Sequence, residues 1–271
     1  MSSPAMNARQ TTLLEGKVAV VVGVGPGLSR ASAILMAEAG ADIVLAARRE
    51  ETMREVAREV EALGRRALCV PTDVSRAEDC RRLADRGSEA FGRIDILVVT
   101  SFYLGQPAPI AAADFNDWRR VMDVNLFGAM AVARELVPQL RERGNGRIIF
   151  VNSVQAWHPE PCMAAYAASK AALVSVTRSL AVELAPAGIR VNAIHPGLIM
   201  AEDVKVYIAQ MAAVRGLSYE DLYRTMTADE YRLGYIPGPE EIAGTVLYLA
   251  SELSRPVTGQ SIGVNCGAWF H

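Results

Sequence analysis

Tyr166 and Lys170 stand four residues apart in Tyr166-Ala167-Ala168-Ser169-Lys170. In a helix that spacing puts both side chains on one face, one turn apart. A free tyrosine has a pKa of about 10 and is a poor base near neutrality. A neighbouring positive charge favours the phenolate and lowers that value. A tyrosine tuned in this way can take a proton from an alcohol oxygen or return one to a carbonyl oxygen. Ser153 lies upstream, at the end of an apolar run, where its hydroxyl could bond the same oxygen. The plain alternative for Ser153 is a turn or helix cap. Alone, the tyrosine–lysine pair describes many helix surfaces, so its meaning rests on what surrounds it.

A second cluster, Gly23-Val24-Gly25-Pro26-Gly27-Leu28-Ser29, falls between an apolar run and a helical pattern. Glycines there permit a tight turn and close approach of backbone to a pyrophosphate. The helix start adds free N–H groups and a partial positive charge. Gly23, Gly25, Gly27 and Leu28 are therefore candidate dinucleotide contacts. About 20 residues further on, NAD sites carry an acid for the ribose 2′-hydroxyl. Here the sequence reads Ala46-Ala47-Arg48-Arg49. A guanidinium pairs with a 2′-phosphate in bidentate fashion, so Arg48 tilts the expected cofactor toward NADP(H). The nearby Glu50 keeps NAD(H) open.

The elements that must position these groups alternate along the chain. Short β-type runs cover 17–23, 42–46, 67–70, 94–99, 147–151, 189–194 and 261–264. Helical patterns cover 28–39, 50–63, about 76–91, about 115–140, about 164–184 and 239–249, with an irregular helical stretch over 200–235. Strands alternating with helices of this length predict βαβ units. The expected fold is a single doubly wound Rossmann-type α/β domain, with a parallel, roughly seven-stranded sheet and helices on both faces. The domain is expected over 15–271, with a flexible tail at 1–14 and a substrate-loop segment at about 198–235.

Composition narrows the partners. Twenty-eight basic residues against 30 acidic ones give no long-range pull on nucleic acid or anionic lipid. No stretch approaches the roughly 18 apolar residues needed to span a bilayer, and the polar start does not resemble a secretory signal. Cys69, Cys80, Cys162 and Cys266 are scattered, as expected of free thiols in a reducing cytoplasm. His158, His195 and His271 make no metal-ligand spacing, so no metal site is expected.

In this order the motifs resemble a classical short-chain dehydrogenase/reductase over roughly Gly16 to Gly267. The resemblance rests on Gly23 and Gly27, Asp73-Val74 after the third strand, Asn125, and the trio Ser153, Tyr166 and Lys170. It extends through Gly188-Ile189-Arg190-Val191-Asn192-Ala193-Ile194-His195-Pro196-Gly197 and the ending Thr258-Gly259-Gln260 to Asn265-Cys266-Gly267. It implies a hydride exchanged between NAD(P) and an alcohol or ketone. Tyr166 would be the general acid/base and Ser153 would orient the substrate oxygen. Lys170 would bind the nicotinamide ribose and lower the tyrosine pKa. Asn125 would hold a water that relays protons to Lys170. Asp73 and Val74 would meet adenine, and Pro196, Gly197 and Ile199 would lie at the nicotinamide. The resemblance also implies pairing of the helices at 115–140 and 164–184 in a homodimer or homotetramer.

Three departures stand out. Ser29 replaces the family's third glycine, and Val99-Thr100-Ser101-Phe102 replaces its Asn-Asn-Ala-Gly. Met200-Ala201 stands where a threonine often bonds the carboxamide. The expected pocket walls are 154–159, Cys162-Met163 and the segment 198–235, with Met200, Tyr207, Met211, Leu217, Tyr223 and Met226. Their character points to a hydrophobic small-molecule alcohol or ketone. Core packing is the plain alternative for the methionines. The apolar ending Ala268-Trp269-Phe270-His271 is expected to pack at a subunit interface or to cap a neighbouring pocket. The competing reading of the whole is a non-catalytic nucleotide-binding regulator or scaffold, and an epimerase or lyase on the same fold is a further one.

Overall fold

The computed structural model describes residues 12–270. Its sheet has seven parallel strands in the order β3-β2-β1-β4-β5-β6-β7. They are β1 Val18–Val22, β2 Asp42–Ala47, β3 Ala67–Pro71, β4 Ile96–Val99, β5 Arg147–Val151, β6 Arg190–Pro196 and β7 Ser261–Val264. The strand order reverses between β1 and β4, and ligands of such sheets bind at that crevice, beyond the carboxyl ends of the strands.

Alternation along the strands divides the core into two layers. Ala19, Val21, Ile43, Leu45, Ile96 and Val98 face helices α1 Leu28–Glu38, α2 Glu50–Ala62 and α9 Pro239–Ala250. Val18, Val20, Val22, Val44, Leu97 and Val99 face α3 Ala77–Phe91, α5 Ala129–Glu142 and α6 Ala164–Leu184. Strands covered on both faces need apolar residues at every position, and β1 is buried throughout. A polar tie crosses the base of the sheet. Asp95, wholly buried, accepts from the Val18 N–H at 2.9 Å and from the Arg93 guanidinium at 2.8 and 2.5 Å.

The segment expected as one helix over 115–140 is interrupted. Helix α4 Phe115–Met122 passes through a π turn, Asp123–Gly128, into α5. Single widened turns of this kind occur frequently at functional sites. The irregular 200–235 stretch resolves into α7 Glu202–Arg215, ended by a left-handed Gly216, and α8 Tyr219–Glu230, begun by Ser218. The Ser218 hydroxyl accepts from the Asp221 N–H at 3.0 Å.

Of the expected tail, residues 1–11 lie outside the described residues. Leu14, also assigned to the tail, belongs to the packed body. It is 1% exposed, and its N–H donates to the Ala39 carbonyl at 2.8 Å.

Candidate active site

Tyr166 and Lys170 share the first turns of α6, an alanine-rich helix with no breaker in its 21 residues. The Lys170 ammonium lies 5.6 Å from the Tyr166 ring centre and donates to the Val151 carbonyl at 3.0 Å. Lys170 is fully enclosed, and burial pulls its pKa from 10.5 down to about 8. Ser153 sits two residues past β5 in extended backbone (φ −156°, ψ 153°), with its hydroxyl near the Tyr166 phenol. The expected lowering of the Tyr166 pKa is not found in the protein alone. Loss of hydration pushes it up to about 12, only partly opposed by the Ser153 hydroxyl. Burial disfavours the charged phenolate more than one hydroxyl can favour it.

Asn125 lies in the π turn, 1% exposed. Its carbonyl oxygen accepts from the Tyr103 N–H at 2.7 Å. Its amide donates to the Tyr103 carbonyl and to the Ser169 hydroxyl, both at 3.0 Å. Ser169 in turn donates to the Tyr166 carbonyl at 2.7 Å. The Asn125 amide nitrogen thus joins the loop after β4 to the helix that carries Tyr166 and Lys170, the carbonyl oxygen holds the loop alone, and neither bonds Lys170.

Sequence reasoning missed Asn152. Its amide donates to the Lys170 carbonyl at 3.0 Å and its carbonyl oxygen accepts from the Ser153 N–H at 3.0 Å, which couples β5 to α6. An asparagine at a strand end carries no spacing signal of its own. His195 is wholly buried. Its Nδ1 lies 3.0 Å from the Ser153 carbonyl, and its ring stacks on Trp157 at 3.9 Å. Phe102 meets the Tyr166 ring edge-on at 6.4 Å.

Beside these groups runs a cleft of about 320 Å³, lined by Gly23, Arg48, Asp73, Val74, Ser101 and Arg120 among others. It lies at the crevice between β1 and β4. Gly23 is obligatory: its φ is +91°, and a Cβ there would stand 2.4 Å from the Ser101 nitrogen. On Gly25 and Gly27 a Cβ would find its nearest neighbours at 4.0 and 3.9 Å. The loop therefore presents open backbone at the start of α1, as a dinucleotide pyrophosphate requires. Asp73 is held below the usual carboxylate range, chiefly by the Ser75 hydroxyl, and Arg48 and Arg76 add to this. An ionised acid at one end, three arginines (Arg48, Arg49 and Arg120) and a bare glycine loop suit a dinucleotide. Of the other expected contacts, Leu28 packs in the core, Ile199 lies partly buried against it, and Pro196 is buried at the end of β6.

Two departures from the family pattern find partners. The Ser29 hydroxyl accepts from the Gly25 N–H at 2.8 Å and donates to the Gly25 carbonyl at 3.2 Å, clasping the glycine loop. The Thr100 hydroxyl donates to the Val22 carbonyl at 2.7 Å, tying β4 to β1 where the family uses asparagine. Met200, Met211, Tyr223 and Met226, expected as pocket walls, pack around Ile208, Leu222 and Ile236 in a small apolar cluster beneath α7 and α8. Tyr207 and Leu217 are exposed. The tail was expected at a subunit interface or a neighbouring pocket. Its Trp269 lies against Trp157 of the same chain, 5.2 Å away and nearly parallel at 9°.

A family profile described as enoyl-(acyl carrier protein) reductase matches residues 23–268. A short chain dehydrogenase/reductase of Aspergillus oryzae is 36% identical, with 94% of this chain and 95% of the relative covered. Among solved structures, L-sorbose reductase of Gluconobacter frateurii, complexed with NADPH and L-sorbose, superposes with a TM-score of 0.89 at 32% identity. That match covers 95% of this chain and 98% of the reductase. Carveol dehydrogenase of Mycobacterium avium, in complex with NAD, also reaches 0.89, at 28% identity, covering 95% and 99%. The chain belongs to the short-chain dehydrogenase/reductase family, NAD(P)-dependent oxidoreductases that act on alcohols and ketones. A non-catalytic scaffold finds no support among these relatives. Among the described residues no helix is long and apolar enough to cross a membrane, and no group of three or more metal-ligating side chains comes together.

Proposed function

We propose that the protein interconverts a hydrophobic secondary alcohol and its ketone with NADP(H) in preference to NAD(H), using Tyr166 as the acid/base. The observation that carries this reading is the enclosed Lys170 ammonium 5.6 Å from the Tyr166 ring centre, with the Ser153 hydroxyl near the phenol. A bound nicotinamide dinucleotide would supply or receive the hydride. Gly23, Gly25, Gly27, Arg48, Asp73, Val74, Lys170 and the backbone of Leu28 and of 196–199 would hold it. Tyr166 gives its proton to the carbonyl oxygen during reduction and removes it during oxidation. A phenol raised to about 12 is fully protonated at neutral pH, so the resting site is charged for reduction. Oxidation requires added positive charge near the phenol to bring that value down. Ser153 orients the substrate oxygen. Asn125 serves by fixing Tyr103 and Ser169, and its side chain does not itself carry the proton.

The cofactor preference rests on Arg48. The relatives do not separate the choices, since the sorbose reductase holds NADPH and the carveol dehydrogenase NAD. Here β2 ends in Ala47 followed by exposed Arg48 and Arg49 on the wall of the cleft, a pairing suited to a 2′-phosphate. Phe102 over Tyr166 supports an apolar substrate. Pairing of chains into a homodimer or homotetramer is supported by exposed Phe127 and Val182. A groove lined by Phe127, Met130, Val137 and Leu180 supports it further. Four free cysteines favour a reducing, cytoplasmic setting.

Titration of the purified protein with NADPH and with NADH, followed by fluorescence, tests the reading. Tighter binding of NADPH is expected. Binding of neither would overturn it.

A further inference from the structure

We propose that Trp269, two residues from the end of the chain, is a positioning residue for Ser153 and therefore for turnover. The proposal rests on the role of Ser153 in the reading above. The Ser153 N–H donates to Asn152 and its carbonyl meets the His195 imidazole, each at 3.0 Å, and its hydroxyl accepts from the Gln155 N–H at 3.2 Å. The turn it opens closes at Trp157, whose N–H donates to the Val154 carbonyl at 3.0 Å.

Trp157 stacks on two rings. The His195 ring lies 3.9 Å from it at 29°, and the Trp269 ring 5.2 Å from it at 9°. The turn bearing Ser153 is thus fastened twice to His195, at the Ser153 carbonyl and through the Trp157 ring, and once to the tail through Trp269.

The tail is built to deliver that ring. Gly267 bends the chain at φ +75°, where a Cβ would strike Arg232 at 2.8 Å. The Asn265 carboxamide then accepts from the Gly267 N–H at 3.1 Å and donates to the Trp269 carbonyl at 3.3 Å. Stacked aromatic pairs add stabilisation beyond the burial of their rings, and the Trp157–Trp269 stack applies it to the turn that bears Ser153.

The test compares Trp269→Ala and Trp269→Phe in the full chain, with cyclohexanone and NADPH as probes. Hydrogen exchange of the 152–158 peptide is expected to speed up in the alanine variant and to stay slow in the phenylalanine variant. The kcat for cyclohexanone reduction is expected to fall about 10- to 100-fold in the alanine variant, the scale of a displaced reacting group, and to recover in the phenylalanine variant. NADPH affinity should hold in both, because the dinucleotide cleft shares no lining residue with the stack. Unchanged exchange in Trp269→Ala overturns the proposal. Faster exchange with undiminished kcat does so too, as does NADPH affinity lost in step with rate. A wild-type protein that binds NADPH but reduces no ketone would defeat the hydride-transfer reading, while the exchange measurement would still decide whether Trp269 positions the turn.

Discussion

Replacing Lys170 with methionine should make the protein more stable as it makes it inactive. The ammonium is 2% exposed, and its pKa falls from 10.5 to about 8 through lost hydration alone. At about 1.4 kcal/mol per pKa unit, the charged group destabilises the folded state by about 3 kcal/mol near pH 7. Lys170→Met keeps the unbranched stem and removes the charge. Loss of the bond to the Val151 carbonyl offsets about 1 kcal/mol of the gain. The net gain of about 2 kcal/mol corresponds to a Tm higher by about 4–8 °C for a chain of this size. The folded pKa lies below the unfolded one, so the penalty is complete below about pH 8. Between about pH 8 and 10.5 the folded state releases its proton first, the penalty fades, and the two melting curves converge. Thermal melts followed by circular dichroism, without cofactor, at several pH values in that range measure both effects. A methionine variant that melts at or below wild type near pH 7 would refute the reasoning, as would a gap that fails to narrow with rising pH.

Two further outcomes are expected. Arg48→Ala should weaken NADPH binding by about 1.5–3 kcal/mol, the range for a charge-assisted bond, and leave NADH binding unchanged in parallel titrations. Equal loss for both would indicate a damaged fold. Gly23→Ala should destroy dinucleotide binding and lower the Tm, because its Cβ meets the Ser101 backbone at 2.4 Å in a left-handed conformation. Wild-type affinity in that variant would show that the β1–α1 loop can shift.

Much of the fold was legible because buried parallel strands leave near-continuous apolar runs, as in Val18–Val22. Helix α6 was legible in full at 164–184 because nothing in it breaks a helical period. The π turn at Asp123–Gly128 was not, since one extra residue in a turn leaves the apolar pattern almost unchanged. In the site, Tyr166 and Lys170 were readable because helical spacing alone brings them together. Contacts between distant segments were not: Asn125 with Tyr103 and Ser169, or Trp157 with Trp269. Ser29 read only as a departure from the family's third glycine, yet its hydroxyl clasps the glycine loop, because a side chain's rotamer decides whether it fills a space or bonds across it. The Tyr166 pKa was expected low from the charge beside it and lies high from enclosure. Burial is a tertiary property that a motif does not carry.

The most direct test is Tyr166→Phe, which removes one oxygen and keeps the ring against Phe102. With NADPH and a panel of apolar ketones, the decay of the nicotinamide absorbance gives the rate, and fluorescence titration gives the cofactor affinity. The account predicts a kcat lower by about 10²- to 10⁴-fold, the contribution of a positioned general acid, with NADPH affinity unchanged. A phenylalanine variant that reduces ketones at the wild-type rate would contradict it.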